Sequence, residues 1–281
     1  MHTGLLRLGN SSIFPAHKTH IETLQIDNNF RCLVAVPIYN EGSNVIAILS
    51  KLRSFVTDIL VIDDGSTDNT PLCLKDQPSL NVITHPKNRG YGAALISAFD
   101  FCIRPPSGLS PYDGLVTLDC DGQHEPERIS KLIESLRIAD IVSGSRYLCN
   151  FLTNSAAPED RRRVNATITS ELNHQLGTKL TDAFCGFKAY RKSALEKLRI
   201  TETGWGMPLQ VWVQAARLGL RVVEVPIPRI YLDPNRTFGG TLTIEQERLT
   251  YYRRVINDAL MDHSLDIPTG QSVMDIGIDL E

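Results

Sequence analysis

The chain has six cysteines, Cys32, Cys73, Cys102, Cys120, Cys149 and Cys185, and no two of them form a Cys-x-x-Cys pair. That spacing argues against a cysteine-based zinc site and against a thioredoxin-type dithiol. Residues 1–30 lack a basic start followed by a sustained apolar stretch, so they do not read as a signal peptide, and reduced thiols are expected rather than disulfides. No uninterrupted apolar run reaches the length of a membrane-spanning helix. Charge of either sign is not in excess: 29 Lys and Arg stand against 32 Asp and Glu, for a net charge of -3. A basic field for nucleic acid is therefore missing, and so is an acidic block. Internal repeats and low-complexity linkers are missing too. The first apolar run is followed by Pro37-Ile38-Tyr39-Asn40-Glu41, not by Gly-x-Gly-x-x-Gly, which argues against a dinucleotide-dependent oxidoreductase.

What is present is enough apolar material, 42% of 281 residues, for one large domain or two small ones. Residues 32–37 form a short apolar run typical of a buried strand, and residues 43–55 carry apolar residues at helical spacing. The alternation continues with strands at 58–62, 81–84, 114–118 and 138–143, and helices at 90–102 and 126–136. Helices are further expected at 161–176, 208–218 and 245–261, with a late strand at 221–227. This order predicts an α/β fold with a mostly parallel central sheet flanked by helices. In such sheets ligands bind beyond the carboxyl ends of the strands, and the polar motifs fall there.

Asp119-Cys120-Asp121 follows the strand at 114–118 directly. Residues two apart in extended chain point to the same side, so both carboxylates can face one cavity. Two close carboxylates repel and call for a cation, and Mg²⁺ or Mn²⁺ suits an all-oxygen site shared with substrate phosphates. Two solvated acids in a loop are the alternative. Asp63-Asp64-Gly65-Ser66 ends the second strand, where a carboxylate can accept hydrogen bonds from a base or a ribose, or serve only in a capped turn. In the opening loop Tyr39 can stack on a base and Glu41 can bond a ribose. Asn88-Arg89-Gly90-Tyr91-Gly92-Ala93-Ala94 opens a helix whose N–H groups suit a phosphate, or whose small residues serve close packing.

Together and in this order, these strand-end motifs resemble family 2 glycosyltransferases. Asp119-Cys-Asp121-Gly-Gln123-His124, Gly144-Ser-Arg146-Tyr147, Asp182-Ala-Phe-Cys-Gly186-Phe187-Lys188-Ala-Tyr190-Arg191 and Glu224-Val-Pro226-Ile227 are similar to the dolichyl- and polyprenyl-phosphate sugar synthase branch. The resemblance spans roughly residues 33–240. It implies the GT-A nucleotide-diphospho-sugar transferase fold, with an extension at residues 1–30, a catalytic domain at 31–244 and a C-terminal helix and tail at 245–281. It implies that Pro37, Tyr39, Glu41, Ile62 and Asp64 hold the nucleoside. Asp119 and Asp121 would hold the metal and the donor pyrophosphate, with Cys120 and Gln123 beside them. Arg146 would face phosphate, because a guanidinium's fork of donors matches phosphate oxygens. The family's last motif reads here Arg236-Thr-Phe-Gly239-Gly240-Thr241-Leu242: the arginine matches and the family's lysine is missing.

The implied reaction is an inverting displacement on a nucleotide-diphosphate sugar, of GDP-mannose or UDP-glucose type, with Asp119, Asp121 and Arg146 as the catalytic set. A hydroxyl acceptor needs a base, yet residues 204–210 hold no carboxylate, and the only acids between Tyr190 and Arg221 are Glu196 and Glu202. A phosphate monoester, with its second pKa about 6, is already ionised. The expected acceptor is therefore a polyprenyl or dolichyl phosphate held by Arg161, Arg162 and Arg163. A saccharide or small-molecule hydroxyl acceptor, and a non-catalytic nucleotide-sugar binder, stand as alternatives. The expected location is the cytoplasm. A peripheral contact with the cytoplasmic face of a membrane, through the basic residues Arg248, Arg253 and Arg254 of the last helix, is left open beside a plain solvated helix.

Overall fold

A computed structural model describes residues 30–42, 44–75, 77, 80–232 and 240–262. The expected extension, the tail after residue 262 and Arg236 lie outside the described residues. The first half alternates strictly: β1 (Cys32–Ile38), α1 (Val45–Leu52), β2 (Ile59–Asp63), α2 (Thr70–Lys75), β3 (Asn81–Thr84), α3 (Tyr91–Ile103) and β4 (Gly114–Thr117). A 3₁₀ turn at Pro126–Arg128 leads into α4 (Ile129–Ser135) and β5 (Ile141–Ser145). The second half holds α5 (Glu159–Leu176), β6 (Lys188–Arg191), α6 (Lys192–Leu195), α7 (Met207–Arg217), β7 (Val222–Pro226) and α8 (Glu245–Met261).

The seven strands form one sheet in the order β3-β2-β1-β4-β6-β5-β7. All neighbouring pairs are parallel except those of β6, which runs antiparallel to both β4 and β5. Side chains of β1 alternate between two cores. Leu33 and Ala35 pack with residues of α3, α5, α7 and α8, whereas Val34, Val36 and Ile38 pack with residues of α1 and α4. A sheet covered on both faces needs apolar residues at successive positions, which is why β1 and β2 read as unbroken apolar runs. The strand and helix alternation expected from the sequence is present. The short elements α2, β6 and α6 were not among the expected ones. Lys-Ala-Tyr-Arg has neither the length nor the composition that marks a strand, and tertiary pairing with two neighbours decides it.

β6 matters for the site because of its direction. Thr117 and Ser143 both pair with Lys188 across it. The start of β6 therefore lies at the carboxyl ends of β4 and β5, and the preceding segment, residues 182–187, arrives at the same rim as Asp119 and Arg146. α8 closes the other side, packed on α5 and α7. Its Arg253 pairs with Glu171 of α5 at 2.6 Å, and Arg248 pairs with Asp160. Of the basic residues of this helix, Arg248 is buried, Arg253 is partly exposed and Arg254 is exposed. Among the described residues no helix is long and apolar enough to cross a membrane, and all six cysteines are free thiols.

Candidate active site

A cavity of about 670 Å³ opens at the carboxyl ends of β1, β2 and β4 and runs under α5 and α8. One end is lined by the loops after β1 and β2, with Pro37, Tyr39, Glu41 and Asp64. Asp119, Cys120, Asp121 and Gln123 line the middle, and Arg146, Arg161, Tyr231 and Arg248 the far end.

The end at Tyr39 and Asp64 is built from two loops stitched to each other. Asn40, in a left-handed conformation (φ 58°), directs its side-chain oxygen to the N–H groups of Thr67 at 2.8 Å and Asp68 at 3.3 Å. The Glu41 N–H donates to Thr70 Oγ1 at 3.0 Å. These bonds fix the loop that presents Tyr39, which lines the cavity and is 44% exposed. Asp64 is almost wholly buried, and its carboxylate accepts from the N–H groups of Arg89 (3.0 Å) and Gly90 (2.8 Å) and from His85 Nδ1 (2.6 Å). It ties the loop before α3 to the end of β2.

The same bonds answer the question raised by the Gly-rich opening of α3. Around this opening the N–H groups of Arg89 and Gly90 go to Asp64, and that of Ala93 goes to the Thr203 carbonyl at 3.0 Å. The glycines serve close approach. A Cβ on Gly90 would stand 2.4 Å from the Thr203 oxygen, and one on Gly92 would stand 2.4 Å from the Glu202 oxygen. Ile62 differs from the nucleoside-holding role that the resemblance implies. Its side chain is fully buried with Leu60 and Ala94 on the α3 face, as strand alternation dictates, and it does not line the cavity.

Asp119 and Asp121 do face one cavity. Asp119 is held from three sides: Tyr91 donates its hydroxyl to Oδ1 at 3.2 Å, the Asp119 N–H donates to His124 Nδ1 at 3.1 Å, and Gly186 lies flat against the carboxylate. A Cβ at Gly186 would meet Asp119 Oδ2 at 2.4 Å. Burial, and then the negative charge of Asp119, push the Tyr91 phenol well above its usual range, so it stays a donor. Because His124 Nδ1 accepts a hydrogen bond, its proton sits on Nε2; the ring stacks on Phe187 with centroids 5.2 Å apart. Asp121 accepts from the Gln123 N–H at 3.0 Å. No group of three or more His, Cys, Asp or Glu side chains suited to a metal occurs among the described residues. Two carboxylates at a cavity wall still fit Mg²⁺ or Mn²⁺, since these ions complete their shells with substrate phosphate oxygens and water.

Arg146 lines the cavity but is not wholly available to a ligand. Its Nε and Nη2 make a two-bond fork to Asp182, at 2.7 and 2.9 Å, while Nη1 points to the Tyr231 hydroxyl at 3.5 Å. Asp182 is fully buried and also accepts from Asn165 at 2.7 Å. Burial pushes its carboxyl up, but the charge and hydrogen bonds of Arg146 and the Asn165 amide outweigh that and hold it at about 2. Behind this pair, Glu224 accepts from the Thr181 N–H and hydroxyl and from the Asp182 N–H. Burial raises Glu224 to about 7 against those bonds.

The three arginines at the start of α5 part company. Arg161 lines the cavity, with its guanidinium 5.9 Å from the Tyr231 ring centroid. Arg162 pairs with Glu159 at 2.8 Å and Arg163 with Glu245 at 2.6 Å, both exposed. Glu202 lies outside the cavity, held by the Tyr251 hydroxyl at 2.7 Å and the Gly204 N–H at 2.6 Å. Tyr91, His124, Asp182, Trp205 and Tyr231 carry no site role that the sequence predicts, and Arg248, expected on a basic helix face, lines the cavity instead. Tyr91, His124 and Asp182 sit in motifs quoted above, but the partners of Tyr91 and Tyr231 lie 28 and 85 residues away in sequence and leave no local signal.

The model of glycosyl transferase family 2 matches residues 33–199. An undecaprenyl-phosphate mannosyltransferase of Micrococcus luteus is 35% identical over 207 residues, which cover 70% of this chain and 82% of that protein. A polyprenol monophosphomannose synthase of Mycolicibacterium smegmatis is 33% identical over 208 residues, 70% of this chain and 76% of that one. Among solved structures, glucosyl-3-phosphoglycerate synthase of Mycobacterium tuberculosis, in complex with Mn²⁺, UDP and glucosyl-3-phosphoglycerate, superposes with a TM-score of 0.61 at 19% identity. It covers 86% of this chain and 82% of that one, a likeness of fold.

Proposed function

The chain belongs to glycosyl transferase family 2, and from that starting point we propose that it transfers a hexose, with inversion, from a nucleotide-diphosphate sugar to a polyprenyl or dolichyl phosphate. The observation that carries the acceptor is the set of carboxylates in the cavity. Among the described lining residues these are Glu41, Asp64, Asp119 and Asp121, all on the loops after β1, β2 and β4. The far end presents guanidinium groups instead, those of Arg146, Arg161 and Arg248. Glu202, the nearest acid in sequence to a base position, is held outside by Tyr251. Among the described residues a hydroxyl acceptor finds no carboxylate at that end to act as a base, whereas a phosphate monoester needs none. The names of the Micrococcus and Mycolicibacterium relatives support the same acceptor class.

In this reading Tyr39 and Glu41 hold the nucleoside, and Asp64 secures the loop behind it. Asp119 and Asp121 hold Mg²⁺ or Mn²⁺ with the donor diphosphate, and Gln123 stands beside them; Arg236 is the outer clamp on the donor. The ion, when bound, neutralises charge on the departing diphosphate. Arg146 and Arg161 orient the acceptor phosphate, one of whose oxygens forms the new bond to the anomeric carbon as the bond to the nucleoside diphosphate breaks. No proton moves. Residues 31–244 form the catalytic domain, and Arg248 and Tyr252 of the following helix complete its cavity. Work on a lipid phosphate would bring the protein to a membrane surface peripherally.

The experiment is an assay of lipid-linked sugar formation with GDP-mannose and UDP-glucose, polyprenyl phosphate and Mn²⁺ or Mg²⁺. Metal-dependent product that is lost in Asp121→Ala is the expected result. Nucleotide release without lipid product would overturn the acceptor and move the search to hydroxyls. Donor binding with neither activity would leave a nucleotide-sugar binder.

A further inference from the structure

The loop between α6 and α7 carries Trp205, one of only two tryptophans in the chain. Its indole stacks on the Tyr91 ring, with centroids 5.0 Å apart and planes 13° from parallel. Tyr91 in turn donates to Asp119. Trp205 thus stands one aromatic ring away from a carboxylate of the donor site. It lines the cavity and remains 37% exposed.

Its position is built by several unrelated contacts. Gly90 and Gly92 admit the backbone of residues 202–203 to within the distance of a missing Cβ. The Gly206 N–H donates to the Tyr251 hydroxyl at 3.0 Å, and that hydroxyl donates to Glu202. Gly204 and Gly206 also face Tyr251, where a Cβ on either would come within 3.2 Å of the phenol oxygen. The ring is thus held at the cavity wall by contacts from α3 and α8 and by four glycines that admit them.

We propose that Trp205, backed by Tyr91, is the subsite for the transferred pyranose: its ring lies against the apolar C–H face of the sugar and keeps water from the anomeric carbon. The proposal rests on the donor reading above. The diphosphate bound at Asp119 and Asp121 places the sugar next to Tyr91, and a flat aromatic face is the surface that complements an axial C–H array. The indole offers no carboxylate that would activate water, and so favours transfer over hydrolysis.

Tryptophan emission tests this directly. Trp212, the other tryptophan, is fully buried with its N–H on the Ala183 carbonyl, so emission changes that vanish in Trp205→Phe report on Trp205. With Mn²⁺ present and binding followed independently by calorimetry, GDP-mannose or UDP-glucose should change the emission of the wild type, while GDP and UDP alone should not. An equal change with the bare nucleotides would overturn the proposal, as would binding of the sugar nucleotide with no change. In turnover, Trp205→Ala should lower kcat/KM for transfer about tenfold, the scale of one lost ring contact. It should raise the share of donor lost to hydrolysis and leave the dissociation constant of GDP or UDP unaltered, and Trp205→Phe should recover most of the loss. Equal weakening of bare-nucleotide binding in Trp205→Ala would reveal a purely structural residue and sink the idea. A sugar-dependent emission change in a protein that makes no lipid-linked product would keep the subsite and discard the acceptor assignment instead.

Discussion

Arg146 and Asp182 are 36 residues apart in the chain and joined by a fork of two hydrogen bonds, at 2.7 and 2.9 Å, beneath the far end of the cavity. The pair fixes the plane of the guanidinium and leaves one nitrogen directed outward. A buried ion pair is costly to break from one side, because the remaining charge is left uncompensated.

Asp182→Asn should therefore destabilise the fold by about 3–5 kcal/mol. The native carboxyl is held at about 2, below the ordinary 3.8. A group depressed on folding contributes stability above its unfolded value and loses it as pH falls through the folded one. Urea midpoints of the wild type should accordingly drop between about pH 4 and pH 2, and this part of the pH dependence should be missing from the Asn variant.

Glu224 works in the opposite sense. Its folded value, about 7, lies above the ordinary 4.5. Folded protein then binds the extra proton between these values, so its contribution is fully present below about 4.5 and is lost as pH rises through 7. Glu224→Gln should remove that slope and become more stable than the wild type at pH 8. Denaturant titrations at pH 5 and 8 check it; parallel losses for both proteins would contradict the assignment.

Gly186 lies where any side chain must displace Asp119, since its Cβ would stand 2.4 Å from one carboxylate oxygen and 2.7 Å from the other. Gly186→Ala should fold, because the colliding group is the end of a side chain that can rotate. It should lose Mn²⁺ affinity by roughly tenfold or more, as losses of a ligand's supporting contacts do. Electron paramagnetic resonance of bound Mn²⁺, with circular dichroism as the folding control, measures this.

The arginines of α5 should separate in kinetics as they do in space. Arg161→Ala should raise the KM for polyprenyl phosphate about tenfold or more, the scale of a lost charge-assisted hydrogen bond. Arg162→Ala and Arg163→Ala remove only exposed pairs, with side chains 57% and 52% open to solvent. They should stay within about twofold of wild type, because such pairs contribute little. Equal effects from all three would restore the basic cluster as a unit.

Much of this architecture is legible in the primary structure, for a local reason. Apolar runs and helical spacing identify β1 to β5 and, except for α2, the helices between them, and the polar residues that punctuate them mark the strand ends where Asp119, Asp121 and Arg146 are found. The pairing of Asp119 and Asp121 on one wall follows from their spacing alone. What escapes is whatever depends on distant partners. The reversed strand β6 is four residues long and holds its charge inside, with Lys188 buried against the Cys185 carbonyl and the face of Trp212. At the Gly-rich start of α3, the use of the Arg89, Gly90 and Ala93 N–H groups by Asp64 and Thr203 is not readable from the local sequence. Arg161 cannot be told from Arg162 and Arg163 until α5 is placed against the cavity.

The reversal of β6 has an architectural corollary. Ser143 of β5 faces Lys188 of β6 on one rung of the ladder, so the 40-odd residues between them leave the rim and return to the same point. That excursion carries Arg146, Arg161 and Asn165, and it closes on itself through the clasp of Arg146 with Asp182. It is a cassette hung on a fixed chassis: under the proposed acceptor role, a graft that kept its two ends, its clasp and the Gly186–Phe187 contacts with Asp119 and His124 would exchange the acceptor and leave the donor half in place.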